Sequence, residues 1–239
     1  MKKVIIVLGV LVVLVGGAVT WWKQEFPSGS WRYKITVEVE TPEGLKAGSA
    51  VREVHVRTEP QIFPEQSPIH HSVKGEAVVV DMGHGKYLFA IMDVDGSYRI
   101  VQTTFPYPIE NHRKYIEHYE SLIGQKKILD QKDYPTFVTF KDITDPKSVE
   151  LVYGGKFDQT TQKFIPVNDF EKLFGTGVHL KSVTIEITDE PVTWNIEKVL
   201  GWLSNLETKK ARLNGSTSIA ISTNELSDNL GGGSFRVGR

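Results

Sequence analysis

The first residues carry an unbroken apolar run. From Val4 to Trp22, 19 residues, everything is apolar or small except Thr20, and a helical Thr can return its hydroxyl to a carbonyl one turn back. As a helix the run is roughly 28 Å long, close to the hydrocarbon thickness of a bilayer. Lys2 and Lys3 precede it, and Trp21 and Trp22 end it ahead of Lys23, Gln24 and Glu25. Positive charge stays on the cytoplasmic side and indoles favour the headgroup boundary. The pattern predicts a cytoplasmic tip (1–3), a transmembrane anchor (4–22) bounded by Lys2, Lys3, Trp21 and Trp22, and a short linker (23–30). Gly16 and Ala18 also carry the small-residue spacing of a cleavable secretory signal. Either reading exports the rest of the chain.

Beyond the linker the period changes to two. Trp31, Tyr33, Ile35, Val37 and Val39 alternate with Arg32, Lys34, Thr36, Glu38 and Glu40, the signature of a strand with one face in the core and one in water. Thr41-Pro42-Glu43-Gly44 supplies a turn, and Ala50 to Arg57 is extended, with Val51 off the Val54 and Val56 face and so predicting a bulge. Gln61 to His71, beside Pro60, Pro64 and Pro68, reads as a surface loop. The nearly continuous apolar runs Gly75 to Met82 and Tyr87 to Met92 flank a Gly83 to Lys86 turn and read as central strands covered on both faces. Asp93 to Gly96 then turns the chain into Tyr98 to Thr104, before Pro106 and Pro108 close the sheet section.

Helical spacing appears between Ile109 and Ile123 with Gly124 as its stop, in Val167 to Phe174 capped by Asn168 with Gly175 behind it, and in Ile196 to Leu203. Phe137 to Phe140, Val149 to Tyr153 and Val178 to Ile187 return to strand. From Asn214 the apolar density falls, and Gly231-Gly232-Gly233-Ser234 predicts a flexible tail over 214–239. The sum is an α+β fold, mainly antiparallel sheet covered by a few helices, with one extracytoplasmic domain over 31–213. No repeat of 20 to 50 residues is present, which argues against a solenoid or propeller.

Composition narrows the function classes. Without its first 22 residues the chain carries 26 Lys+Arg against 29 Asp+Glu, no electrostatic footprint for nucleic acid. With no cysteine, disulfides, thiol nucleophiles, Cys-ligated zinc and iron–sulfur clusters are excluded. The chain is expected to need no cofactor.

Arg32-Tyr33-Lys34 through Glu43-Gly44-Leu45 and Gly48-Ser49, Phe140-Lys141-Asp142-Ile143-Thr144-Asp145-Pro146 with Val149, and Phe174-Gly175 through Ile185 to Thr193, Ile196-Glu197 and Trp202-Leu203 together resemble a family of uncharacterised, single-anchor membrane proteins found mainly in alphaproteobacteria. The likeness implies an inner-membrane protein with its domain in the periplasm. It implies no activity, ligand or catalytic residue.

Candidate chemistry is sparse. The seven histidines His55, His70, His71, His84, His112, His118 and His179 read as neutral surface or half-buried side chains, and a metal-free domain is expected. The candidate metal site is His70 or His71 with His84, since adjacent histidines on an extended segment point to opposite faces. Asp93-Val94-Asp95-Gly96 starts like a calcium loop but lacks its later donors. Asp142, Asp145, Asp189 and Glu190 are the candidate carboxylates for a hydrolase, which needs two of them on opposite sides of the scissile bond; beside proline, the same residues serve turns. Neither a Gly-x-Ser-x-Gly elbow nor Ser-x-x-Lys occurs. The expectation is a membrane-anchored periplasmic domain that binds another envelope protein. The alternatives are a ligand- or polysaccharide-binding sensor using Tyr107, Trp194 or Trp202 as stacking faces, and a carboxylate-dependent hydrolase.

Overall fold

The computed structural model describes residues 2–92, 96–107, 114–158, 161–218 and 225–239. In order along the chain come α1 (Lys2–Glu25), β1 (Ser28–Thr41), β2 (Gly44–Thr58), β3 (Ile69–Glu76), β4 (Val78–Gly83), β5 (Lys86–Ala90), α2 (Gly96–Thr104), α3 (Tyr115–Ser121), β6 (Lys126–Ile128), β7 (Phe137–Phe140), β8 (Val149–Asp158), β9 (Lys163–Asn168), α4 (Phe170–Phe174), β10 (His179–Thr188), α5 (Leu203–Lys209), α6 (Leu226–Asn229) and β11 (Arg236–Val237). The fold is α+β and its sheets are antiparallel. The first has six strands in the order β11-β3-β2-β1-β10-β6, the second five in the order β4-β5-β7-β8-β9.

The alternation in β1 produces the face expected of it. Tyr33, Ile35, Val37 and Val39 are fully buried, and Tyr33, Ile35 and Val37 lie opposite Ile187, Ile185 and Val183 of β10. On the wet face Arg32 pairs with Glu53 at 3.0 Å and Lys34 with Glu190 at 2.8 Å. Such exposed cross-strand pairs fix register more than they stabilise. The β1–β2 register runs unbroken from Ser28↔Arg57 to Thr41↔Gly44, so the bulge expected at Val51 is absent. Val51 is buried because Thr193 extends the sheet edge, accepting from the Val51 amide at 3.1 Å and donating its own amide to the Val51 carbonyl at 3.2 Å. The bulge falls instead at Glu38/Val39 against β10.

β5 and β7 of the second sheet are covered on both faces, as continuous apolar runs require, whereas β4, expected to be central, is an edge strand. Val78, Val80, Leu88, Ala90, Phe137 and Val152 join the core of the first sheet. Phe89, Ile91, Val138 and Phe140 point the other way into a second core with Ile196, Leu200, Leu203 and Phe235. The sheets approach most closely at Gly48 of β2, where a Cβ would stand 2.0 Å from the Val79 carbonyl oxygen. Only glycine permits that contact.

Several sequence expectations are corrected. The run Gly75 to Met82 is not one strand: β3 ends at Glu76, β4 begins at Val78, and the chain changes sheets at Ala77. His70 and His71 belong to β3 rather than to a loop. Tyr98 to Thr104 is helical, because Ser97, Val101 and Phe105, four residues apart, bury one side of α2. The Val167 to Phe174 helix starts only at Phe170, since Asn168 ends β9 and pairs with Tyr153. Ile196 to Leu203 splits into a 3-10 turn over Ile196–Lys198 and then α5, with Gly201 between them. In the 109–123 segment α3 occupies Tyr115–Ser121, and 109–113, with His112, lies outside the described residues, as does the Asp93 to Asp95 part of the calcium-like loop.

The tail is folded where it is described. Phe235 is fully buried and Arg236 is 5% exposed, while Arg236 and Val237 pair with Glu76 and Gly75 of β3. The linker is also shorter than expected: α1 runs to Glu25 and β1 starts at Ser28, with Phe26 against Trp22 at 4.7 Å and the Pro27 carbonyl accepting from the Thr58 hydroxyl at 2.7 Å.

Candidate binding sites

On α1 the side chains of Leu11 to Val15, Val19, Trp21 and Trp22 are all exposed. Among the described residues no helix is long and apolar enough to cross a membrane. The Thr20 hydroxyl returns to the Gly16 and Gly17 carbonyls, both at 2.9 Å. At the same end of the first sheet, the loop between β2 and β3 leaves from Thr58, whose amide is held by Pro27. Its tip carries Ile62 and Phe63, 74% and 64% exposed.

The candidate metal histidines are far apart. His70 lies opposite Arg57 and its Nε2 is 3.4 Å from Glu59, whereas His84, in the β4–β5 turn, is 3.8 Å from Glu43 in the β1–β2 turn. Those ends of β2 are separated by thirteen residues, about 43 Å of strand. His71 faces inward, stacked on Tyr98 with 4.4 Å between centroids, its Nε2 3.3 Å from the Tyr115 hydroxyl. Burial, helped by neighbouring His70, pulls its pKa down to about 4. No group of three or more metal-ligating side chains occurs among the described residues.

Three of the four carboxylates have local partners, Glu190 through Lys34 and Asp142 and Asp145 within their own turns. Asp142 Oδ1 accepts from the Thr144 amide and hydroxyl at 2.9 and 2.7 Å, which holds its pKa low. Asp145 Oδ1 accepts from the Lys147 amide at 2.9 Å and caps a 3-10 turn. Asp189 and Glu190 follow β10 in the other sheet, where both carbonyls accept from Arg32. None of the four lines any of the cavities described below. Of the candidate stacking aromatics, Trp202 packs on Phe140 and Phe235 and gives its indole N–H to the Ile143 carbonyl at 2.9 Å. Tyr107 packs edge-on against Tyr115 and His118, and Trp194 is half-buried.

Two features escape a motif search. One is a groove of about 840 Å³ between β8 and α6, bordered by Lys141, Lys147, Lys156, Lys172 and Phe164; Lys141 and Lys172 are paired with Glu150 and Asp169. The other is a cavity of about 190 Å³ between the sheets, lined by Ile35, Arg52, Ile91, Ser97, Ile100 and the Asp133 to Thr136 segment. Arg52 is 2% exposed there. Its position was readable: Arg52 shares strand parity with Val54 and Val56, so a charge sits where the pattern demands an apolar side chain. An adjoining open groove of about 590 Å³ shares Tyr134 and Thr136 and continues to Tyr153 and Gly154.

The chain matches no known family model, curated protein or solved structure in any of the comparisons made.

Proposed function

We propose that this chain is a single-pass protein of a bacterial inner membrane, with its N-terminus in the cytoplasm, Val4 to Trp22 in the bilayer, and a periplasmic two-sheet domain that binds another envelope protein. The observation that carries this reading is the exposed apolar surface of α1, running from Leu11 to Trp22 and joined to β1 by only Phe26 and Pro27. Apolar surface of that extent is stable only when lipid or protein covers it. Two connecting residues give the domain little reach, so it rests against the headgroups, where Ile62 and Phe63 face the same interface.

The β8–α6 groove is the surface offered to the partner. Lys147 and Lys156 on its walls carry charge for an acidic segment, and Phe164, 73% exposed, supplies an apolar anchor. The sensor and hydrolase readings have less support, because Tyr107 and Trp202 pack on neighbouring aromatics and none of the four carboxylates lines a cavity.

The absence of cysteine makes single-cysteine variants clean probes. Lys2→Cys is expected to be shielded from a membrane-impermeant maleimide in intact spheroplasts and Lys126→Cys to react; the reverse pattern, or release of the protein by alkaline carbonate, overturns the anchor. A photocrosslinking residue at position 164 is expected to give a discrete adduct that Lys156→Glu weakens. Adducts of equal yield from position 38, on the outer face of β1, would remove the groove as the docking surface.

A further inference from the structure

Among the described residues Arg52 is the one deeply buried cation of the first sheet without a carboxylate partner. Its Nε donates to the Glu76 carbonyl at 3.0 Å, but Nη2 is buried with no hydrogen-bond partner, and no carboxylate of the described residues forms an ion pair with the guanidinium. The nearest buried acid, Glu76, spends its carboxylate on the amides of Asn195 and Ile196 at 2.8 and 2.9 Å. Taking a guanidinium out of water without a counter-ion is costly, and a buried donor left unsatisfied calls for a specific cause.

The fold holds this side chain in place. Gly75 of β3, at φ +140°, lies over its stem, and a Cβ there would come within 2.8 Å of Arg52 Cγ. Beside it the Tyr33 hydroxyl gives its proton to the Ser97 carbonyl at 2.6 Å, leaving the phenol oxygen as an acceptor only. Burial keeps that hydroxyl above the usual phenolic range even against the charge of Arg52 and hydrogen bonding from its guanidinium to the phenol oxygen. A preformed cation at the wall of a partly enclosed cavity is an arrangement that binds an anion with little reorganisation.

We propose that the inter-sheet cavity is a binding site for a small monocarboxylate with an apolar body, its carboxylate on Arg52 and its hydrocarbon against Ile35, Ile91, Ile100 and Pro135. The volume of about 190 Å³ fits about seven to nine heavy atoms, since an apolar cavity of about 150 Å³ holds benzene. Asp133 also lines the cavity and repels any anion in proportion to its charge, so it disfavours phosphates and dicarboxylates more than a monocarboxylate. The proposal is independent of the membrane reading and of the β8–α6 groove.

The test is calorimetric titration of the full chain in nanodiscs with 3-methylbutanoate, its neutral amide, succinate and chloride. The expected result is saturable one-to-one binding of the carboxylate, at least tenfold weaker binding of the amide, and none of succinate. Equal binding of acid and amide would remove Arg52 from recognition; saturable succinate binding, or chloride competing at millimolar concentration, would remove the monocarboxylate class; no binding of any ligand would remove the site. Arg52→Met, which keeps the stem and drops the buried charge, is expected to lower carboxylate affinity at least tenfold while amide affinity stays within twofold. Should that variant fail to fold, Ile100→Trp, which fills the cavity from α2 and leaves Arg52 in place, is expected to abolish carboxylate binding; unchanged affinity in a folded variant overturns the proposal.

Discussion

Arg236 Nη1 stands 2.8 Å from a Glu197 carboxylate oxygen, so a residue near the end of the chain closes onto a 3-10 turn 39 residues before it. The same guanidinium bonds Glu207 of α5 and the Ser204 hydroxyl. Ser204 first and Arg236 second hold the Glu197 carboxyl down at about 2. This network is what turns the last residues into a lid on the second core, with Phe235 beneath it. Arg236→Ala leaves Glu207 without its cation and Glu197 with Arg239 alone, and is expected to cost about 3 kcal/mol, the low end for breaking a buried pair, because both acids reach water; chemical denaturation measures it. A depressed carboxyl contributes stability above its ordinary pKa of 4.5 and loses it as pH falls toward about 2. That part of the acid sensitivity is expected to vanish in Glu197→Gln.

What the sequence reveals follows from what each pattern encodes. Alternation in β1 is a burial code and reads directly. The apolar runs at Val78 to Val80 and Leu88 to Ile91 encode burial on both faces, and the structure supplies the two cores. Neither pattern encodes which sheet a strand joins, so the crossing at Ala77 stays hidden inside one apolar run. Gly231 to Ser234 looks flexible by composition, yet Gly232 is small so that the chain can pass α5, where a Cβ would come within 2.6 Å of Glu207 Cγ. The anchor of the tail is Arg236, which lies outside any periodic pattern. Of the candidate sites, the acids and histidines were visible by type, but their separation depends on the lengths and pairing of the strands that carry them.

Gly48 offers a sharp test of how the sheets meet. With backbone on the far side of the contact, an added methyl cannot be absorbed by a rotamer change, and β2 or β4 has to move. Gly48→Ala is therefore expected to cost about 3 kcal/mol or more, the upper end for overpacking. Gly83→Ala meets no atom within 4 Å and acts through its φ of +86° alone, so it is expected to cost about 1 kcal/mol. Equal effects in thermal melts would contradict the close approach at Val79.

His71 should impart a second, higher acid transition. Its folded-state pKa of about 4 lies below the ordinary 6.5, so the neutral ring stabilises the fold fully above pH 6.5, and that contribution is lost as pH falls from 6.5 toward about 4. The stack on Tyr98 identifies the element that loosens: α2 should open from β3 first. His71→Phe keeps an aromatic face for Tyr98 and is expected to flatten stability across that pH window, although it loses the Tyr115 contact. A His71 imidazole resonance, assigned by its loss in His71→Phe, that titrates near 6.5 in the folded protein would refute the assignment.

Asp142 and Asp145 separate a turn from a catalytic site. Asp145→Ala is expected to cost about 1 kcal/mol as a lost cap, and Asp142→Ala to lower the melting temperature as well. Asparagine keeps the acceptor oxygen that each turn uses and should restore most of the loss at either position. A hydrolytic carboxylate behaves otherwise, because its amide cannot exchange a proton. Restored stability in Asp142→Asn together with loss of a cellular phenotype would revive the enzyme reading.

The β2–β3 loop tests how closely the domain sits on the bilayer. Thr58 is bonded to Pro27, two residues beyond α1, so a helix in the bilayer fixes the height of the loop that starts there. Ile62 and Phe63 are too exposed for a loop tip in water to be their best environment, and an apolar residue entering the interface is stabilised in proportion to the area it buries. Spin labels on Ile62→Cys and Phe63→Cys, in the full chain in nanodiscs, are expected to be more accessible to oxygen than to a water-soluble nickel chelate. A label on Phe164→Cys, at the β8–β9 hairpin, is expected to show the opposite ratio. If the loop labels report water as fully as position 164 does, the domain stands clear of the membrane, and the short connection after α1 does not lower it onto the headgroups.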